Sequence, residues 1–132
     1  MIVTIGKDKL LKLLHMQLEN NFSLDKNDIF ILDGCIDKAL LKAENCYAGN
    51  TNKYYWDCDA NLVFNPYHSS QYSIFLYFLS RTVFLSGHRE LADKTYYLNR
   101  MMNSCDLYYE VELPDIFFID HPIGSVIGRG VF

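Results

Sequence analysis

The sequence predicts a mainly α fold. A helical bundle over residues 1–105 is followed, over 106–132, by the beginning of a parallel β-helix amounting to about one coil. Three observations carry this prediction. Apolar residues recur at three- and four-residue steps through the N-terminal part, as amphipathic helices require. One stretch, Tyr72 to Leu85, is apolar around most of its circumference, the mark of a helix wedged between others. After Cys105 helix formers give way to β-branched and aromatic residues with two prolines and three glycines, which predicts an extended chain from about residue 108.

In "KDKLLKLLHMQLENNF", Leu10, Leu11, Leu14, Leu18 and Phe22 define one helical face, with Lys12, Gln17 and Glu19 between them. Asp25 is the expected N-cap of the second helix, and Asp28 sits in the first turn where a negative charge is favoured. That helix places Ile29, Leu32, Ile36, Ala39, Ala43 and Cys46 on one stripe and ends near Gly49. "AGNTNKYYWDCDANLVFNPYHSS" is rich in turn residues, holds the only tryptophan, Trp56, and reads as a long, partly ordered connection. Ser69 or Ser70 is expected to cap the third helix, "QYSIFLYFLSRTVFL", which Gly87 ends. The fourth, "HRELADKTYYLNRMMNS", carries Leu91, Leu98 and Met102 on one side. The third helix needs more apolar cover than three helices of this length supply, so the chain is expected to self-associate.

Composition narrows the function classes. A chain of 132 residues, half of them hydrophobic and 15% aromatic, fits one domain with a real core. Its 12 basic residues against 16 acidic ones, with no two basic residues adjacent, leave no nucleic-acid footprint. Cys35, Cys46, Cys58 and Cys105 are widely spaced without a C-x-x-C pair and read as free, buried thiols of a reducing compartment. Asn21-Phe22-Ser23 is a chance sequon. The N-terminus lacks the features of a secretory signal, and the most apolar run falls short of the ~20 residues a bilayer span needs. A soluble, cytoplasmic protein without a membrane span is expected.

Nucleophile elbows, phosphate loops and dinucleotide fingerprints are absent from the sequence. Cys58, Asp59 and His68 lack zinc-site spacing, so no metal is expected. His15 reads as a partly exposed packing residue and His88 as a cap. Tyr54-Tyr55-Trp56 reads as a core or interface plug in preference to a stacking platform for a ligand ring.

The tail holds the chemistry. Ile127 to Phe132 fit a hexapeptide of the form aliphatic, Gly, two free positions, small or β-branched, free. Leu113 and Ile119 are six apart and in phase, and the period slips by two at "HPIGSV". A six-residue period with an aliphatic first position suggests a parallel β-helix. From the period alone, a β-hairpin or an edge strand fits as well. A lone histidine near Pro and Gly, here His121, is more often a turn residue than a catalyst.

A helical domain followed by "DH-x-x-G-x-V-x-G" resembles the serine O-acetyltransferase family of hexapeptide-repeat acyltransferases. The residues that carry the resemblance are Asp120, His121, Gly124, Val126 and Gly128, with Pro114 before the first coil. The stretch "YYEVELPDIFFIDHPIGSVIGRG" looks closest to serine acetyltransferase-like proteins encoded in bacterial surface-polysaccharide gene clusters. The resemblance implies a left-handed β-helix and transfer of an acetyl group from acetyl-CoA to a hydroxyl of serine or of a sugar. It implies His121 as general base and Asp120 as a contact to the small-molecule acceptor. Family members carry an upstream "D-I-H-P" whose Asp orients the histidine. Here Val111-Glu112-Leu113-Pro114 stands in that place, so Glu112 is the candidate orienting acid and Asp115 the runner-up.

The family assembles as trimers or dimers of trimers and binds acetyl-CoA between neighbouring subunits. The cofactor-binding coils are therefore expected beyond Phe132, and no acetyl-CoA is expected on this chain, which would be inactive alone. The alternative is a non-catalytic helical oligomerisation or interaction module from a short or truncated gene product.

Overall fold

Helix α1 (Lys7–Asn21) begins after Gly6, whose φ of 81° turns the chain out of the short N-terminal strand β1 (Ile2–Val3). It buries Leu10, Leu14 and Leu18, with Leu11 and Phe22 flanking them, as the periodicity predicts. The computed structural model describes residues 1–130. Val131 and Phe132, the last two positions of the C-terminal hexapeptide, lie outside the described residues.

Helix α2 (Lys26–Ala48) starts on a reciprocal cap. Asp28 N–H donates to Asp25 Oδ1 at 2.7 Å, and Asp25 N–H donates to Asp28 Oδ2 at 3.0 Å. Such a cap stabilises a helix by about 1 kcal/mol. The stripe from Leu32 through Ile36, Ala39 and Ala43 to Cys46 is buried as expected, and Ile29 is half-buried.

The connection from Gly49 to His68 is ordered by its own Asn and Asp side chains. Asn52 Oδ1 accepts from Tyr54 N–H, Asp57 Oδ1 from Asp59 and Asn61 N–H, and Asn65 Oδ1 from Tyr67 N–H. Strand β2 (Val63–Phe64) pairs in parallel with β1, bringing the N-terminus beside this connection. Gln71, fully buried, fixes it to the next helix. Its Nε2 donates to the carbonyls of Tyr54 and Val63, and its Oε1 accepts from Asn65 N–H at 2.6 Å.

Helix α3 (Ser69–Leu85) is buried at every position from Ser70 to Ser80. Its N-cap is His68 rather than a serine, since Ser69 and Ser70 are already helical, and the Ser70 hydroxyl bonds to Asp120 O instead of capping. Gly87, at φ 89°, separates it from α4 (Arg89–Asn103). His88 stands at the N-cap of α4 but makes no side-chain capping bond there. Leu91 and Leu98 are buried on α4, whereas Met102 is exposed. The buried face follows Leu91, Thr95, Asn99 and Asn103, and Met102 falls beside that line.

Two further strands close the chain, β3 (Asp106–Leu107) and β4 (Val126–Ile127), paired in parallel. Between them residues 108–125 contain no helix and run along α3 in the opposite direction. Arg81 Nη1 donates to Tyr109 O at 2.9 Å. Tyr77 Oη donates to Val111 O at 2.6 Å and accepts from Leu113 N–H at 3.0 Å. Phe117 meets the Tyr77 ring edge-on at 5.5 Å, and Ser70 Oγ donates to Asp120 O at 2.7 Å. The cover that α3 requires therefore comes from within the chain, and its apolar circumference is no argument for self-association.

The four cysteines are free. Cys35, Cys46 and Cys105 are buried as expected, but Cys58 is exposed in the polar turn between Asp57 and Asn61. Among the described residues no helix is long and apolar enough to cross a membrane.

Candidate functional site

Asp120 and His121 sit at the N-terminal end of α3, held there from both sides. Upstream, Phe117 is anchored to α2: its carbonyl accepts from Cys46 Sγ at 3.1 Å, and its ring packs on Tyr77 and Phe78. Close packing against Gly49 adds to this, since a Cβ at that position would stand 2.8 Å from Ile116 Cγ2. Downstream, Pro122 to Ser125 form a turn in which Ser125 N–H donates to Pro122 O at 2.9 Å and Gly124 takes φ 80°. That conformation at the third position of a turn calls for glycine, which explains the "PIGS" stretch. Gly124 N–H also donates to Ser104 O at 2.8 Å, tying the turn to the end of α4.

Both side chains are exposed and line a cavity of about 420 Å³. Ser69 and Ser70 of α3 line it as well. Its remaining wall comes from the connection before α3: Asn52, Tyr54, Tyr55 and His68. The His68 ring lies 5.5 Å from that of Tyr54 and 6.1 Å from that of Tyr55. Burial lowers the pKa of His68, so its imidazole is neutral at neutral pH. Tyr55 is 1% exposed, and its hydroxyl is pushed up to about 12, first by burial, then by the nearby Cys46 and Asp120.

Three buried polar atoms in this corner have no hydrogen-bond partner: Tyr55 Oη, His68 Nδ1 and Asn50 Nδ2. Asn50 lies near enough to favour the ionised tyrosine slightly, yet the two make no hydrogen bond of ordinary geometry. Buried polar groups are nearly always paired, and two of these three belong to residues that line the cavity, Tyr55 and His68. Among the described residues no group of three His, Cys, Asp or Glu could hold a metal ion.

The structure brings Asp120 and His121 together in one cavity but does not bring Glu112 or Asp115 to it. Val111 and Leu113 are both fastened to Tyr77, and successive side chains of an extended segment point to opposite sides. Glu112 is thereby turned outward, with its side chain 84% exposed and its carboxylate 3.7 Å from Arg81. It lines a different cavity, with Glu110 and Arg129. Asp115 borders a third, on the flank of α2 beside Lys42 and Asn45. Among the described residues, no carboxylate but that of Asp120 lines the cavity of His121.

Sequence reasoning missed Tyr55 and His68 as wall residues. Tyr55 is a core plug, and Trp56 is half-buried, with its Nε1 donating to Asn50 O at 2.7 Å. Both wall residues lie far from His121 along the chain, and no local spacing announces such a meeting. The only available signal was the density of aromatic rings in a turn-rich segment. Compared with known proteins, the chain matches no family model, no curated protein and no solved structure.

Proposed function

We propose that this chain is the helical domain and first coil of an acetyl-CoA-dependent O-acetyltransferase of the serine acetyltransferase type. One observation carries the reading. Asp106 pairs with Val126 and Leu107 with Ile127 in parallel, partners twenty positions apart, and the crossover over 108–125 holds Asp120-His121 and no helix. Parallel strands are ordinarily joined through a helix. A coil of three hexapeptides plus the two-residue slip at "HPIGSV" gives this separation without one. A β-hairpin would pair antiparallel, so that alternative is excluded.

In the proposed reaction His121 takes the proton of the acceptor hydroxyl as its oxygen attacks the thioester carbonyl. The carbon–oxygen bond forms, the carbon–sulfur bond breaks, and CoA leaves as a thiol carrying the proton. An imidazole suits this task at neutral pH. Asp120 binds the acceptor. Acetyl-CoA would lie against coils following this one, between subunits of a trimer or a dimer of trimers in the cytoplasm, where the co-substrate is found.

A second reading, a helical module that only assembles, has its own support. Phe30 and Leu41 on the outer side of α2 are 77% and 66% exposed, and exposed apolar surface marks contacts. Release of free CoA thiol separates the two readings. A chain carrying the further coils, given acetyl-CoA with serine and with simple sugars, should release CoA, and its His121→Ala variant should not. Equal release by both would remove the role given to His121. No release by either would favour the assembly module.

A further inference from the structure

Resting on the acyl-transfer reading, we infer that the acceptor hydroxyl belongs to a sugar ring and not to serine. The sugar is bound between the Asp120-His121 turn and the aromatic wall of Tyr54, Tyr55 and His68.

Charge is the first argument. Asp120 is the one acidic side chain lining the cavity, and no lysine or arginine among the described residues lines it to receive a carboxylate. Serine is a zwitterion. Its ammonium would suit Asp120, but its carboxylate would then enter a space already holding an anion. Lys53, the nearest lysine in sequence, places its ammonium over the Tyr54 ring at 5.3 Å and does not line the cavity. A sugar has no net charge to place.

Hydrogen-bonding character is the second. Asn52, Ser69 and Asp120 line the cavity and between them offer donors and acceptors. A carboxylate can only accept and an ammonium only donate, whereas vicinal sugar hydroxyls do both.

Shape is the third. Tyr54 is 58% exposed at the mouth of the cavity and offers ring surface to the apolar C–H face of a pyranose. About 420 Å³ lies within the range of sites for larger small molecules, ~300–1,000 Å³, and is more than serine would fill.

The test is NMR on the 132-residue chain, recording histidine ring and tyrosine resonances while methyl hexopyranosides or L-serine are added at matched millimolar concentration. The expected result is that a methyl hexopyranoside shifts His68 and His121 and serine does not. Tyr54→Ala should weaken the sugar about tenfold, the upper scale of an aromatic contact. Ser69→Ala, which removes one exposed hydroxyl of the cavity lining, should weaken it about fivefold, the scale of one hydrogen bond. Circular dichroism of both variants should match the parent. Shifts caused by serine alone, or by neither compound, overturn the inference. The CoA assay keeps the two proposals apart. CoA release with serine but not with sugars overturns the sugar site and leaves acyl transfer standing. Sugar binding that depends on Tyr54 and Ser69, with no CoA release under any condition, supports the site and overturns acyl transfer.

Discussion

Residues 1–105 and 106–130 are ordered by different means. In the first region Leu10, Leu14, Leu32, Ile36, Ile74 and Leu98 are fully enclosed by one another's helices, and burial of apolar surface does most of the stabilising. In the second, Ile116, Phe118, Ile123 and Val126 are exposed, and β3 and β4 are only two residues each. Leu107, Tyr109 and Ile119 of this segment join the core, and polar side chains of α3 fix the course of the backbone between them. Ser70, Tyr77 and Arg81 bond to its backbone at Asp120, at Val111 and Leu113, and at Tyr109. The comparison teaches that a site on a segment too short to fold alone can still be positioned accurately. The rigid element supplies the accuracy, and the segment carries the candidate site.

Four substitutions sharpen that division. His121→Ala should have the largest effect and touch function alone. Acetyl transfer in the chain with further coils should fall about a hundredfold, the usual scale for a lost general base. The urea midpoint should stay put, because the side chain is exposed. Tyr77→Phe should act on the junction instead. It deprives buried Val111 O of its donor and Leu113 N–H of its acceptor, and should lower stability by about 1–3 kcal/mol in urea unfolding. Faster hydrogen exchange at Leu113 should accompany that loss.

His68→Gln should change how stability depends on pH. The folded chain holds the pKa of His68 below its usual value, so the unfolded chain binds the proton first as pH falls through about 6.5. That drains stability progressively below this pH. The Gln variant should lose less stability than the parent between about pH 7.5 and about pH 5.5, and parallel curves would contradict the burial of this ring. Glu112→Gln should do least. An exposed pair with Arg81 contributes within about 1 kcal/mol, so stability should barely move. CoA release should be unchanged. A large drop would give Glu112 the orienting role that the resemblance implies, exerted across a subunit boundary.

Much of the first region was legible because its forces are local. Apolar residues at three- and four-residue steps, leucines in α1 and mainly isoleucine and alanine in α2, define both helices, and Asp25 with Asp28 announces the reciprocal cap. The face of α4 was less legible because part of what it buries is polar. Thr95 Oγ1 donates to Leu91 O and Asn99 Nδ2 donates to Ser73 O, and no hydrophobic pattern reports such bonds. The pairing of β1 with β2 involves two residues on each side, too few for an alternation to show. In the tail, the Pro-Ile-Gly-Ser turn could be read from its glycine, and Asp120-His121 from the motif. The course of the tail along α3 could not, since each bond joins residues dozens of positions apart. The aromatic wall of the cavity was hidden for the same reason.

The central claim is that residues 106–130 form the missing wall of α3 while carrying the Asp120-His121 turn. Urea unfolding and sedimentation of residues 1–105, beside the 132-residue chain, test it most directly. The account predicts a clearly lower midpoint for the shorter chain and association through the bared face around Tyr77 and Phe78. A monomeric 1–105 that unfolds at the same urea concentration as the whole chain would contradict it.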